Sequence, residues 1–236
     1  MDRYTLSQRV GGKTFQEIRL RCRGTACGSD CRVKQRRAAR AAPMKEEFTM
    51  QELTLWMQMS LDGYASGPDG AFDWPVMKEE LQRYTLEAVR DADGFVYGRR
   101  VYEIMAGFWP TADARPGKRG FHVEYAKLWR EIPKFAVSRT LERADWNTTV
   151  VSGDLAEEIG ALKAQQGNGL ICFGGPQLAS QLIKLGLVDI LQLFVHPVVV
   201  GGGAALFSGM DERIGLRLIE SRSFDGAVVG LRYRRG

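Results

Sequence analysis

From residue 51 onward the apolar positions follow two alternating periods. Segment 52–59, Glu-Leu-Thr-Leu-Trp-Met-Gln-Met, reads as a strand that Ser60-Leu61-Asp62-Gly63 ends in turn chemistry, and 66–75, SGPDGAFDWP, reads as a loop. Met77, Leu81, Tyr84, Ala88 and Val89 then recur at helical spacing among charged residues. Gly94–Tyr97 is a short buried strand leading straight into a helix over 99–108, and Phe121, Tyr125, Leu128, Trp129 and Ile132 mark a further helical face closed by Pro133. Segments 134–138 and 148–151 are strands. Asp154 and Glu157 form a capping box for a helix carrying Leu155, Ile159 and Leu162. Strand 170–173 runs into Gly174-Gly175-Pro176, with Pro176 opening a helix over 176–185 and Gly186 closing it. The rest is strand-rich: 188–195, 216–223 and 227–234. Helices alternating with strands, followed by a run of strands, predict an α/β three-layer sandwich. Its central sheet is mainly parallel, with an antiparallel C-terminal strand and helices on both faces.

Charge divides the chain. The whole carries +5, yet residues 1–43 hold eleven Lys/Arg and three Asp/Glu, which leaves the remaining body at −3. A basic stretch with so few large apolar residues cannot offset its ordering entropy, so 1–43 is expected to be a disordered extension and 44–236 one domain. Met44 or Met50 would serve as the start of that domain. Cys22, Cys27 and Cys31 lack a nearby fourth ligand, so no metal is expected. Nucleic-acid binding is not expected either, because the charge belongs to the extension. Cys172 alone in the body fits a reducing cytoplasm, and no run of 18 apolar residues exists to span a membrane.

Two strand-to-helix turns have the chemistry to hold an anion. At Tyr97-Gly98-Arg99-Arg100 a glycine permits close backbone approach, while a helix N-terminus offers free N–H groups beside two guanidinium groups. Phe173-Gly174-Gly175-Pro176-Gln177-Leu178 repeats the arrangement, and a third strand ends in Ser138-Arg139-Thr140. Ligands in open α/β sheets gather at the carboxyl ends of strands, so the three turns outline a dinucleotide site, although no GxGxxG fingerprint is present. GxSxG, HExxH and paired CxxC are absent too, which leaves hydrolase and metalloenzyme readings without support.

The pieces SLDGYASGPDG (60–70), FDWP (72–75), YGRRVYE (97–103), FAVSRT (135–140) and the long block 173–207 resemble, in order and spacing, the dihydrofolate reductase superfamily. The nearest resemblance is to the C-terminal reductase domain of the bifunctional riboflavin biosynthesis protein. It implies a dihydrofolate-reductase-like fold, a homodimer and NADPH as cofactor. Gly98, Arg99 and Arg100 would take the cofactor phosphates, Ser138, Arg139 and Thr140 the adenosine 2′-phosphate, and Gly174, Gly175, Pro176, Gln177 and Leu178 the pyrophosphate. Val101 stands where many relatives have a threonine, which removes one phosphate donor.

The implied reaction is hydride transfer to a pteridine, ribosylamino-pyrimidine or related heterocycle, with a proton supplied by an acid or an ordered water. Relatives place that carboxylate five residues after a loop tryptophan, and Trp74 leads in this way to Glu79; Asp62 and Asp73 are rival carboxylates. Trp74, Tyr102 and Trp109, with Asp62 and Asp73, would line the substrate pocket. Phe194 replaces the threonine that classical pterin reductases use to bind substrate, and His196 reads as a strand residue. A dinucleotide-binding protein of this fold with weak or lost catalysis is the alternative.

Overall fold

The computed structural model describes residues 50–117 and 119–236, which fall in one compact unit. The extension 1–43 with its three cysteines lies outside the described residues. Ten strands and five α-helices follow in chain order: β1 Leu53–Ser60, β2 Tyr64–Ser66, α1 Glu79–Arg90, β3 Gly94–Gly98, α2 Arg99–Phe108, α3 Phe121–Glu131, β4 Lys134–Val137 and β5 Thr148–Val151. Then come α4 Leu155–Lys163, β6 Leu170–Cys172, α5 Pro176–Lys184, β7 Ile190–His196, β8 Ala204–Ala205, β9 Leu216–Phe224 and β10 Val228–Arg235.

Eight strands form one sheet in the order β5-β4-β3-β6-β1-β7-β10-β9. β3 to β7 and β1 pair in parallel, and β10 is antiparallel to both β7 and β9. The sandwich read from the sequence is therefore present, with β10 as its antiparallel strand. Because side chains alternate across a strand, β1 feeds two cores. Leu53, Leu55, Met57 and Met59 pack with Ile159 of α4 and Leu178 and Leu182 of α5. Trp56 packs on the opposite face with Leu81 of α1, Tyr102 of α2 and Trp129 of α3. Each such side chain, fully removed from water, contributes roughly 1.5–3 kcal/mol.

Several polar groups inside this frame are matched. Trp129 Nε1 donates to Tyr97 Oη at 3.1 Å. Lys134, fully buried, donates from Nζ to the Trp129 and Ile132 carbonyls at 2.6 and 2.7 Å, closing the C-terminal end of α3 with a positive charge where the helix dipole favours one. Burial pulls its ammonium down to about 8. The Asp154 carboxylate accepts the Ala156 and Glu157 N–H groups, giving α4 the cap its sequence indicates. For α1 the cap comes from far along the chain: the Asp225 carboxylate, in the β9–β10 turn, accepts the Glu80 and Leu81 N–H groups at 3.3 and 3.5 Å, and Glu80 Oε2 accepts the Asp225 N–H at 2.6 Å. This helix begins at Glu79, two residues after Met77, because the Leu81 N–H goes to Asp225 and the Met77 carbonyl accepts from Gln82 Nε2.

The small β2–β8 ladder is absent from the sequence reading. It brings Gly203, at φ 123°, so close to the β2 end that a methyl group there would lie 2.1 Å from the Ser66 carbonyl oxygen. Gly203→Ala is expected to lower stability by roughly 2 kcal/mol or more, since it combines a strained backbone with a steric conflict. Urea unfolding checks this; a midpoint equal to that of the parent chain would contradict it.

Candidate functional site

The carboxyl ends of β3, β4, β6, β1 and β7 lie along one edge of the sheet, as their parallel register requires. At this edge the N-termini of α2 and α5 converge. A methyl group on Gly98 would touch Leu178 Cβ at 3.6 Å, and one on Gly175 would touch Val101 Cγ2 at 3.5 Å. Gly98 and Gly175 are themselves the N-cap residues, and neither helix has a side chain capping its first N–H groups. Two sets of amide donors and two positive dipole ends thus face the same region, an arrangement that favours a phosphate. Ordinary packing would accept a methyl at either glycine, so the packing of the chain itself does not require one there. Leu178 is buried beneath this turn, while Gln177 is exposed on it.

The arginines divide in role. Arg99 donates from Nε to Glu103 Oε1 at 2.8 Å and from Nη1 to Thr140 Oγ1 at 2.7 Å, fastening the β3–α2 turn to the turn after β4. Arg100 and Arg139 are exposed and make no hydrogen bond or ion pair among the described residues. Ser138 Oγ accepts the Thr140 and Leu141 N–H groups at 3.1 and 3.0 Å, so this hydroxyl shapes the turn.

Of the residues expected to line a substrate pocket, Tyr102 is buried, and its hydroxyl both donates to the Asp145 carbonyl and accepts the Asp145 N–H, at 3.1 and 2.9 Å. Trp109 packs on Tyr125 at 4.2 Å between ring centres and points Nε1 at Met105 Sδ. Both side chains serve the packing of α2 and α3. Asp62 accepts the Val200 and Gly201 N–H groups at 3.2 and 2.8 Å, anchoring the loop after β7; hydrogen bonding, led by Ser60, holds its carboxyl below the usual range. Asp73 is exposed. Glu79 is exposed on the first turn of α1, where it lines a 340 Å³ groove with Arg83, Phe121 and Glu124.

Trp74 stands differently. Its indole Nε1 is buried and has no hydrogen-bond partner, and its ring meets His196 edge-on at 5.6 Å. His196 is fully buried at the end of β7, paired in register with Ser60 at the end of β1. The Val76 N–H donates to His196 Nδ1 at 2.9 Å. A backbone N–H can only donate, so Nδ1 is unprotonated, and Nε2 carries the proton that it gives to Gln58 Oε1 at 2.6 Å. Burial lowers this imidazole to about 4. Sequence reasoning took His196 for a strand residue; nothing local signals its two partners, which lie 120 and 138 residues away.

The floor between these parts is aromatic. Phe173, following β6, stacks on Tyr97 at 5.9 Å, and Phe194 is buried against Trp56 at 4.8 Å. Desolvation raises the Tyr97 and Tyr125 phenols well above their ordinary value and pushes the Cys172 thiol up to about 12, so all three remain protonated at neutral pH.

The model of the RibD C-terminal domain family matches residues 51–229. The chain belongs to that family. The Bacillus subtilis (strain 168) protein YyaP, itself described as uncharacterized, is 29% identical over 190 residues, covering 80% of this chain and 98% of its own. A solved putative riboflavin biosynthesis protein from Shewanella sp. PV-4 superposes with a TM-score of 0.62 at 22% identity, covering 79% of this chain and 99% of that one. Dihydrofolate reductase from Enterococcus faecalis, solved with NADP(H), superposes at 0.54 with 15% identity, covering 80% and 98%. This member of the RibD C-terminal domain family therefore has the dihydrofolate-reductase-like fold that its motifs indicated. Among the described residues, no helix is long and apolar enough to cross a membrane.

The lowered His196 value carries a stability consequence. The unfolded chain takes up a proton near pH 6.5 and the folded chain near pH 4, so this contribution is complete above 6.5 and is lost as the pH falls through that window, by ~3 kcal/mol at most. Urea unfolding from pH 7 to 4 should show the decline, with a shallower slope in His196→Gln; identical slopes would contradict it.

Proposed function

We propose that this protein is an NADPH-dependent reductase acting on a pteridine, ribosylamino-pyrimidine or related heterocycle. The observation that carries the reading is the convergence of the uncapped α2 and α5 N-termini at Gly98 and Gly175. Amide groups at Gly98–Arg100 and Gly175–Leu178 would hold the pyrophosphate. Arg100 and Arg139, with guanidinium groups uncommitted among the described residues, would take the remaining phosphate charge, Arg139 at the 2′-phosphate. When bound, the cofactor supplies the hydride. The chain supplies orientation and an aromatic floor around Phe173.

The proton is assigned to Glu79 or to water. His196 is unsuited to supply it, since both ring nitrogens are engaged and the ring is neutral at physiological pH. The cytoplasm is the proposed compartment. Exposed Glu79 and the use of Tyr102 and Trp109 in packing support the alternative, a dinucleotide-binding protein without catalysis.

Titration with NADPH is expected to give binding at tens of micromolar or tighter, and Gly175→Asp, which places a carboxylate at the phosphate turn, should weaken it by about tenfold or more. Absence of binding by the parent chain would remove both cofactor readings. Turnover of dihydropterin and ribosylamino-pyrimidine substrates then separates enzyme from binder, and unchanged turnover in Glu79→Gln would send the assignment to Asp62, Asp73 or water.

A homodimer is also proposed, through β9. This edge strand exposes Leu216, Leu218 and Ile219 at 39, 50 and 43%, a surface that an unpaired edge seldom leaves open. Sedimentation should give a dimer that Leu218→Glu dissociates; a monomeric parent chain would exclude it.

A further inference from the structure

The stretch Phe72–Met77 carries Asp73 and Trp74 between the β2 region and α1, yet it belongs to no helix or strand. Among the described residues its backbone makes two hydrogen bonds: the Val76 N–H to His196 Nδ1 at 2.9 Å, and the Met77 carbonyl accepting from Gln82 Nε2 at 2.8 Å. The second is local, since Gln82 follows on α1. Only the first joins this stretch to the sheet. Its anchor is itself fixed, because His196 ends a central strand, is fully buried, and has its other nitrogen held by Gln58 of the adjacent β1. The Trp74 ring rests edge-on against the same imidazole at 5.6 Å, and Phe72 packs on Trp74 at 5.5 Å. One side chain thus sets both the height of the backbone above the strand ends and the orientation of the indole whose buried N–H has no partner.

We propose that His196 is a positioning residue that holds the Trp74 segment over the carboxyl ends of β1 and β7 and so sets the substrate wall of the cleft. The functional part rests on the reductase reading; the tether itself does not. Among the described residues His196 makes no hydrogen bond or ring contact with the glycine turns, so it would act on substrate and not on the cofactor. Val76 and Met77 also pack on the core, but a segment with one hydrogen-bonded tether to the sheet has its position less sharply defined when that tether goes, and the cost appears as a less ordered wall that each substrate must order on binding.

Two substitutions separate the two nitrogens. In His196→Asn the amide oxygen can occupy the place of Nδ1 and accept the Val76 N–H, although the side chain no longer reaches Gln58. In His196→Gln the longer chain carries its terminal amide toward Gln58 and leaves Val76 without its acceptor. Hydrogen exchange of residues 72–78 is the first readout, and it needs no activity. The Gln variant is expected to exchange at Val76 about tenfold faster or more, with the Asn variant closer to the parent chain. NADPH affinity should stay within about twofold in both, while substrate KM rises by about tenfold in Gln and by less in Asn. Equal exchange at Val76 in the parent and Gln variants would overturn the tether. Faster exchange with unchanged KM and kcat would overturn the role in substrate binding. If the parent chain neither binds NADPH nor turns over substrate, the reductase reading fails while the exchange data still decide the tether.

Discussion

Parallel pairing of β1 between β6 and β7 is the constraint on which the rest of the molecule depends. It gives one strand two buried faces, so that Leu53, Leu55, Met57 and Met59 serve one core while Trp56 serves the other. It also brings the ends of β6 and β7 to the same edge, one carrying Gly174-Gly175 and the other His196. Burial of apolar area on both faces supplies the energy, and the register decides what that energy positions.

The large elements were legible because their signals are local. Period-two and helical patterns, Gly98 and Gly175 at strand-to-helix turns, and Asp154 before its helix each lie within a few residues of what they specify. The pieces that escaped are held by partners distant in the chain. Helix α1 takes its cap from Asp225, β2 and β8 pair across more than a hundred residues, and His196 bonds to Val76 and Gln58. Hydrophobic periodicity carries no information about such pairings. The start of α1 illustrates the effect: Met77 has helical spacing, but its carbonyl accepts from Gln82 Nε2 and the Leu81 N–H that would bond it is given to Asp225, so the helix begins only at Glu79.

Candidate site residues divided in the same way. Backbone donors at the glycine turns depend on fold alone, which sets Gly98 beside Leu178 and Gly175 beside Val101. Side-chain roles depend on rotamer and neighbours. Tyr102 and Trp109, aromatic residues on a helix, are drawn into packing because burying large rings is worth more than leaving them at a cleft. Phe194 is likewise sealed beneath Trp56 and Tyr84, so the polar contact that a threonine could offer at this position has been exchanged for core.

The hydroxyl of Tyr102 both gives to and receives from the backbone of a single residue, Asp145, much as a peptide unit does in a ladder. A phenol here acts as a rung. Together with the bridge from Arg99 to Thr140, it ties α2 to the loop between β4 and β5, so that the β3–α2 turn and the Ser138–Thr140 turn are held as one plate. A ligand of the proposed kind, reaching across both turns, would be spared the entropy of bringing them together.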